Sequence, residues 1–94
     1  MDANILAGCL SVIIKDKRVS VWHIAIYLAL VDVWNKNLFQ NPIRISRKEI
    51  MRMAHVGSIV TYHKCIKELQ AFNYIEYYPS YHPHEGSKVV MLIQ

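Results

Sequence analysis

Apolar residues recur at helical spacing along most of the chain and alternate near its end. Over residues 3–14, Ile5, Leu6, Cys9, Leu10 and Ile13 share one side, which predicts a helix. Val12 and Ile14 widen that face, and the β-branched run at 10–14 suits a strand as an alternative. A charged connection follows at 15–18, after which Ser20 can cap a second helix running to about Asn37. Ile24, Leu28, Val31 and Asn35 form one face of it; Tyr27, Leu30 and Trp34 extend that face, and Ile26 and Val33 lie further round. A helix apolar on so much of its circumference is the centre of a fold, part of an oligomer interface, or both. The loop 37–42 is polar except for Phe39, and Ile43-Arg44-Ile45 alternates like a short strand.

From Ser46 the period returns to that of a helix. Ser46 and Glu49 have the spacing of a capping box, and Ile50, Met53 and Ala54 give the segment an apolar side. His55-Val56-Gly57 breaks the pattern, with Gly57 free to take the positive φ of a tight turn. Ser58 is then the N-cap of another helix, in which Ile59, Tyr62, Ile66 and Leu69 fall on one stripe. Asn73 closes that helix, because Asn tolerates the left-handed conformation of a C-terminal cap. Two short helices joined by a Gly-containing turn make a helix-turn-helix unit. Strand formers at 74–78 and 88–93 flank a loop with Pro and Gly at 79–87, which reads as a hairpin with a projecting tip.

Composition bounds what such a chain can be. Ninety-four residues make one small domain, and an apolar fraction of 53 % is that of a globular chain. The net charge of +4 favours an acidic partner, and its distribution is more informative than its size. Between Arg44 and Lys67 stand Arg44, Arg47, Lys48, Arg52, Lys64 and Lys67 against a single acid, Glu49. The excess therefore lies on the two-helix unit, although Lys and Arg also populate ordinary solvated faces. Cys9 and Cys65 sit in apolar helical patterns and read as buried free thiols of a cytoplasmic protein. No signal peptide is expected, and the apolar run at 19–31, interrupted by His23, is shorter than the roughly 20 residues of a membrane span.

The segment Ser58-Ile59-Val60-Thr61-Tyr62-His63-Lys64-Cys65-Ile66-Lys67-Glu68-Leu69, followed by Asn73-Tyr74-Ile75, resembles a known signature. It is the S-x-x-T-hydrophobic-x-x-x-hydrophobic-x-x-L…G-x-I pattern of bacterial winged-helix proteins. GntR-type and MarR-type regulators share it with the N-terminal domains of DnaD-type primosomal proteins. With Val21-Trp22-His23 opening the second helix and 77–87 as a wing, the whole chain looks like the small winged-helix proteins of conjugative and other mobile elements. The resemblance implies a mainly α fold with a small β-hairpin, a winged helix-turn-helix with two N-terminal apolar helices. Within a single domain, 1–37 would hold those helices, 46–73 the helix-turn-helix and 74–93 the wing hairpin. It implies a double-stranded DNA-binding protein, a transcriptional regulator or an accessory factor of a mobile element. Ser58, Ile59, Val60, Thr61 and His63 become the DNA-facing start of the recognition helix. Ile59 stands where GntR-type readers often carry a basic residue, which implies modest sequence specificity.

The chemistry of the same positions agrees. A recognition helix enters the major groove by its N-terminal end. Ser58 and Thr61 offer hydroxyls, Ile59 and Val60 can touch a thymine methyl, and Lys64 and Lys67 lie opposite Tyr62 and Leu69. Arg47 and Lys48 occupy a first helical turn, where the dipole disfavours cations, and a phosphate contact would explain them. In the wing, Tyr81, His82, His84 and Lys88 can bond phosphates or enter a minor groove; a flexible polar loop is the alternative. No zinc-spaced ligand set, phosphate-cradling Gly loop or nucleophile motif occurs, so no metal, cofactor, small-molecule ligand or enzymatic activity is expected. His23 reads as a packing residue. The wide apolar faces of the first two helices suggest a homodimer, and they also suit a protein-interaction module that does not read DNA sequence.

Overall fold

The most apolar stretch folds as α2 (Val21–Lys36), against which the other helices and two of the strands pack. The computed structural model describes residues 3–81 and 86–93. Around α2 stand α1 (Ala3–Lys15), α3 (Arg47–Ala54), α4 (Ile59–Ala71) and strands β1 (Ile43–Ile45), β2 (Ile75–Tyr78) and β3 (Ser87–Met91). The fold is thus mainly helical with a small antiparallel sheet of order β1-β3-β2, the expected hairpin joined by a third strand.

The buried face of α2 is His23, Ile26, Tyr27, Leu30 and Trp34, joined by Ala29 and Val31. It is rotated from the expected face: Leu28 is exposed, and Ile24 and Asn35 are half-buried. Where nearly every position is apolar, period alone selects no face, and the neighbouring elements decide. α1 is helical despite its β-branched run, because Cys9 and Ile13, one turn apart, both reach the core. Leu10, expected on that face, is exposed. Both cysteines are buried and free. Leu38 and Phe39 take positive φ, which returns Phe39 edge-on to Trp34 with ring centroids 5.0 Å apart.

Helix ends follow local chemistry. Ser46 Oγ accepts the Glu49 N–H and Ser58 Oγ the Thr61 N–H, each at 3.2 Å. α4 ends as expected at Asn73, φ 66, with Tyr74 N–H donating to Leu69 C=O and Asn73 N–H to Gln70 C=O. The turn between α3 and α4 differs from expectation. His55, φ 59, takes the left-handed position and Gly57 does not. Val56 N–H donates to Met51 C=O at 3.0 Å, so the chain reverses at the end of α3 and Val56 drops into the core.

In the sheet, Ile43 pairs with Val89, Arg44 with Lys88 and Ile45 with Ser87, while Ile75 pairs with Met91 and Tyr78 with Lys88. Ile43, Ile45, Ile75, Val89 and Met91 form its buried face. The Asn41 side chain prolongs the ladder: its Nδ2 donates to Met91 C=O at 3.0 Å and its Oδ1 accepts the Met91 N–H at 2.9 Å.

The α1–α2 connection is tied to the end of α4 through Asp16. Arg18 donates to both carboxylate oxygens, at 2.9 and 2.7 Å, and Tyr74 OH donates to Oδ2 at 2.7 Å. The Arg18 guanidinium also lies 4.5 Å from the centre of the Phe72 ring. The Arg18 bonds, then the Tyr74 bond, hold the Asp16 carboxyl well below its usual value of 3.8. A depressed carboxyl favours the fold when ionised, so its contribution is present above about pH 4 and is lost as the pH falls. Asp16→Asn is expected to lower Tm at neutral pH and to flatten the acid limb of a Tm–pH profile below pH 4. Parallel acid limbs in the two proteins would remove Asp16 from this role.

Candidate nucleic-acid interface

The α4 helix divides cleanly into two faces. Tyr62, Cys65, Ile66 and Leu69 are buried, and Val60, His63, Lys64 and Lys67 form an exposed stripe at steps of three and four. Its N-terminal end is strongly apolar, with Ile59 48 % and Val60 79 % exposed. Ser58 is exposed; its oxygen caps the helix, and its O–H can still donate outward. Thr61 is half-buried beside it. Arg47 and Lys48 are exposed on the first turn of α3, as the sequence suggested.

The charges around this surface are sorted by specific contacts. Glu49 accepts from Arg52 Nη2 at 2.6 Å and from Nε at 3.3 Å, so its carboxylate serves Arg52 instead of completing a capping box. Glu68, one turn after Lys64, borders the stripe and turns its carboxylate toward His23 of α2. His23 Nδ1 accepts the Ser20 N–H at 2.9 Å, which leaves Nε2 to carry the proton it shares with Glu68 Oε1 at 3.2 Å. Both nearby acids thus bond partners other than the lysines of the stripe. Among the described residues, Arg44, Arg47, Lys48, Lys64, Lys67 and Lys88 have no carboxylate partner.

Between α4 and β2 lies a cleft of about 280 Å³ lined by His63, Ile66, Lys67, Gln70, Tyr77 and Pro79. Gln70 Oε1 accepts the Tyr77 N–H at 2.6 Å and fixes the strand to the helix. Nearby, burial and then Tyr77 push the Tyr62 phenol up to about 12, partly opposed by the Arg47 charge. The end of α4 and strand β2 are therefore held together as one surface.

The hairpin places Tyr81 almost wholly in solvent and Lys88 on the outward face of β3. His82 and His84 lie outside the described residues. Sequence reasoning about the site missed Arg44, which stands directly across from Lys88. The Ile43-Arg44-Ile45 alternation already turned Arg44 outward, but its neighbour depends on a register that no local signal carries. Among the described residues, no three His, Cys, Asp or Glu side chains are placed to hold a metal ion. None of the helices described is long and apolar enough to cross a membrane.

Several large apolar side chains of the N-terminal helices are exposed as well. Val21 is 73 % and Trp22 54 % exposed, and Leu10, Ile14 and Leu28 also reach solvent. No protein-family model, curated protein or solved structure matches this chain.

Proposed function

We propose that α3, α4 and the β2–β3 hairpin form a winged helix that binds duplex DNA without chemistry. α4 enters the major groove by its N-terminal end, and the wing, residues 79–88, lies on the flanking backbone. The observation that carries this reading is the exposed stripe of α4, whose Lys64 and Lys67 have no carboxylate partner among the described residues while Glu49 bonds Arg52 and Glu68 bonds His23. Phosphates supply most of the affinity. Ser58, Ile59 and Val60 supply a modest reading of base edges and thymine methyls. The role that fits is a cytoplasmic transcriptional regulator or an accessory factor of a mobile element. Anisotropy titrations with a random duplex at about 50 and about 200 mM salt test it, since a protein making several phosphate contacts weakens steeply over that range. No binding at the lower concentration would refute the reading.

A second copy is the proposed occupant of the apolar surface around Val21 and Trp22, giving a dimer that presents two recognition helices. Sedimentation is expected to show a dimer at micromolar concentration, and Trp22→Glu a monomer. A wild-type monomer at high micromolar concentration would remove this part of the proposal.

The alternative is a protein-docking module, favoured by the exposed Ile59 and Val60 at the tip of α4. Partner binding that survives Lys64→Glu with Lys67→Glu, in a chain with no affinity for DNA, would select it.

A further inference from the structure

The outward face of the sheet carries a like-charged pair that folding does not explain. Arg44 on β1 and Lys88 on β3 are directly opposed, both exposed, and neither has a carboxylate partner among the described residues. Like charges directly across a ladder destabilise a sheet. Tyr78 of β2 flanks Lys88 on the other side, completing an Arg-Lys-Tyr row.

We propose that Arg44 and Lys88 together hold a backbone phosphate of the bound duplex at the base of the wing. This inference rests on the DNA-binding reading and adds a contact away from the α4 stripe. Three observations point the row toward a polyanion. The row lies at the loop end of the sheet, one residue pair from Ile45–Ser87, where the wing begins. β1 leads through Ser46 directly into Arg47 and Lys48, so four cations without a carboxylate partner among the described residues stand near the point where the strand becomes α3. A run of cations at strand, helix and wing fits an extended anion better than a single carboxylate. Among the described residues the carboxylate on this face is that of Glu76, diagonal to Lys88 across the β2–β3 ladder, and it accepts from Tyr78 OH at 3.2 Å without pairing with Lys88. Lys36, which shares a groove of about 490 Å³ with Arg44, is bound to Asp32 at 3.0 Å and does not join the set.

A phosphate contact differs from a structural role in sign. Removing the two charges relieves repulsion within the sheet and removes attraction for DNA. Arg44→Gln with Lys88→Gln is expected to keep or raise Tm, while affinity for a random duplex falls about tenfold and the slope of log K against log salt drops by about 0.9, the value for one phosphate. The loss is expected to be equal on all duplex sequences, and Arg44→Lys should restore most of the slope. An unchanged affinity and slope, in a wild-type background that binds DNA, would overturn the inference and leave the DNA reading standing. A fall in Tm that accounts for the lost affinity would also overturn it. A wild-type protein without affinity at about 50 mM salt removes both.

Discussion

Replacing Lys64 and Lys67 together by glutamate is expected to weaken binding to a random duplex by at least ~100-fold at about 50 mM salt. The two lysines lie three residues apart on the exposed stripe of α4, so one groove wall of phosphates meets both. Each phosphate that is no longer neutralised takes roughly 0.9 from the salt slope, and reversing the charge adds repulsion between the helix and the same phosphates. Folding should be spared. Both side chains are exposed, and surface substitutions of this kind stay within about 0.5 kcal/mol. The informative comparison is therefore affinity at constant Tm. A pair of glutamates that leaves both affinity and slope unchanged would disconnect α4 from DNA altogether. A loss confined to one duplex sequence would mean that these lysines touch bases, against a role in positioning the helix on the backbone.

Features controlled by chemistry within a few residues are legible in the sequence. Ser46, Ser58 and Asn73 mark helix ends where the structure has them, since a cap depends on neighbours only two to five residues away. The outward placement of Lys64 and Lys67 follows from the buried stripe of the same helix. Features decided between distant segments are not legible. The buried face of α2 differs from the expected one because its apolar residues surround the helix and only tertiary neighbours choose among them. Gly57 is the natural candidate for the left-handed turn, yet His55 takes that conformation because the reversal must come early enough to bury Val56. The engagement of Glu68 by His23 joins residues 45 positions apart, and the Asp16–Tyr74 bond spans 58. Those two bonds matter for the site as well as the fold. The first turns the Glu68 carboxylate toward α2 and away from the lysines, so the field at this surface depends on tertiary structure as well as on composition.

Gly86→Val is the second large effect, and it tests geometry where the lysine pair tests charge. Gly86 has φ +67, and a Cβ built on it would stand 2.6 Å from the Ile45 carbonyl oxygen, far inside contact distance. That oxygen belongs to the backbone of β1 and cannot swing aside as a side chain would. A β-branched residue in the left-handed region adds strain of about 1–2 kcal/mol by itself. With the backbone clash, a total of roughly 2–4 kcal/mol is expected, or ~10–25 °C in Tm for a domain of this size. Strand β3 has to move away from β1 to make room, so the pairing of Ile45 with Ser87 and of Arg44 with Lys88 fails first. The buried Val89 lies just beyond and anchors the sheet to the core, so the damage should begin at the loop end and leave the helices largely in place. Amide exchange is expected to quicken at Lys88 and Val89 while Leu30 and Leu69 stay protected. DNA affinity should fall even though every cation is retained, because the wing and the Arg44–Lys88 pair lose their common frame. Gly86→Ala should show the same pattern more weakly. Uniform loss of protection across helices and strands would mean instead that the sheet and the helical core unfold as one cooperative unit. In that case the wing has no independent opening, and any loss of DNA affinity in Gly86→Val would report global stability alone.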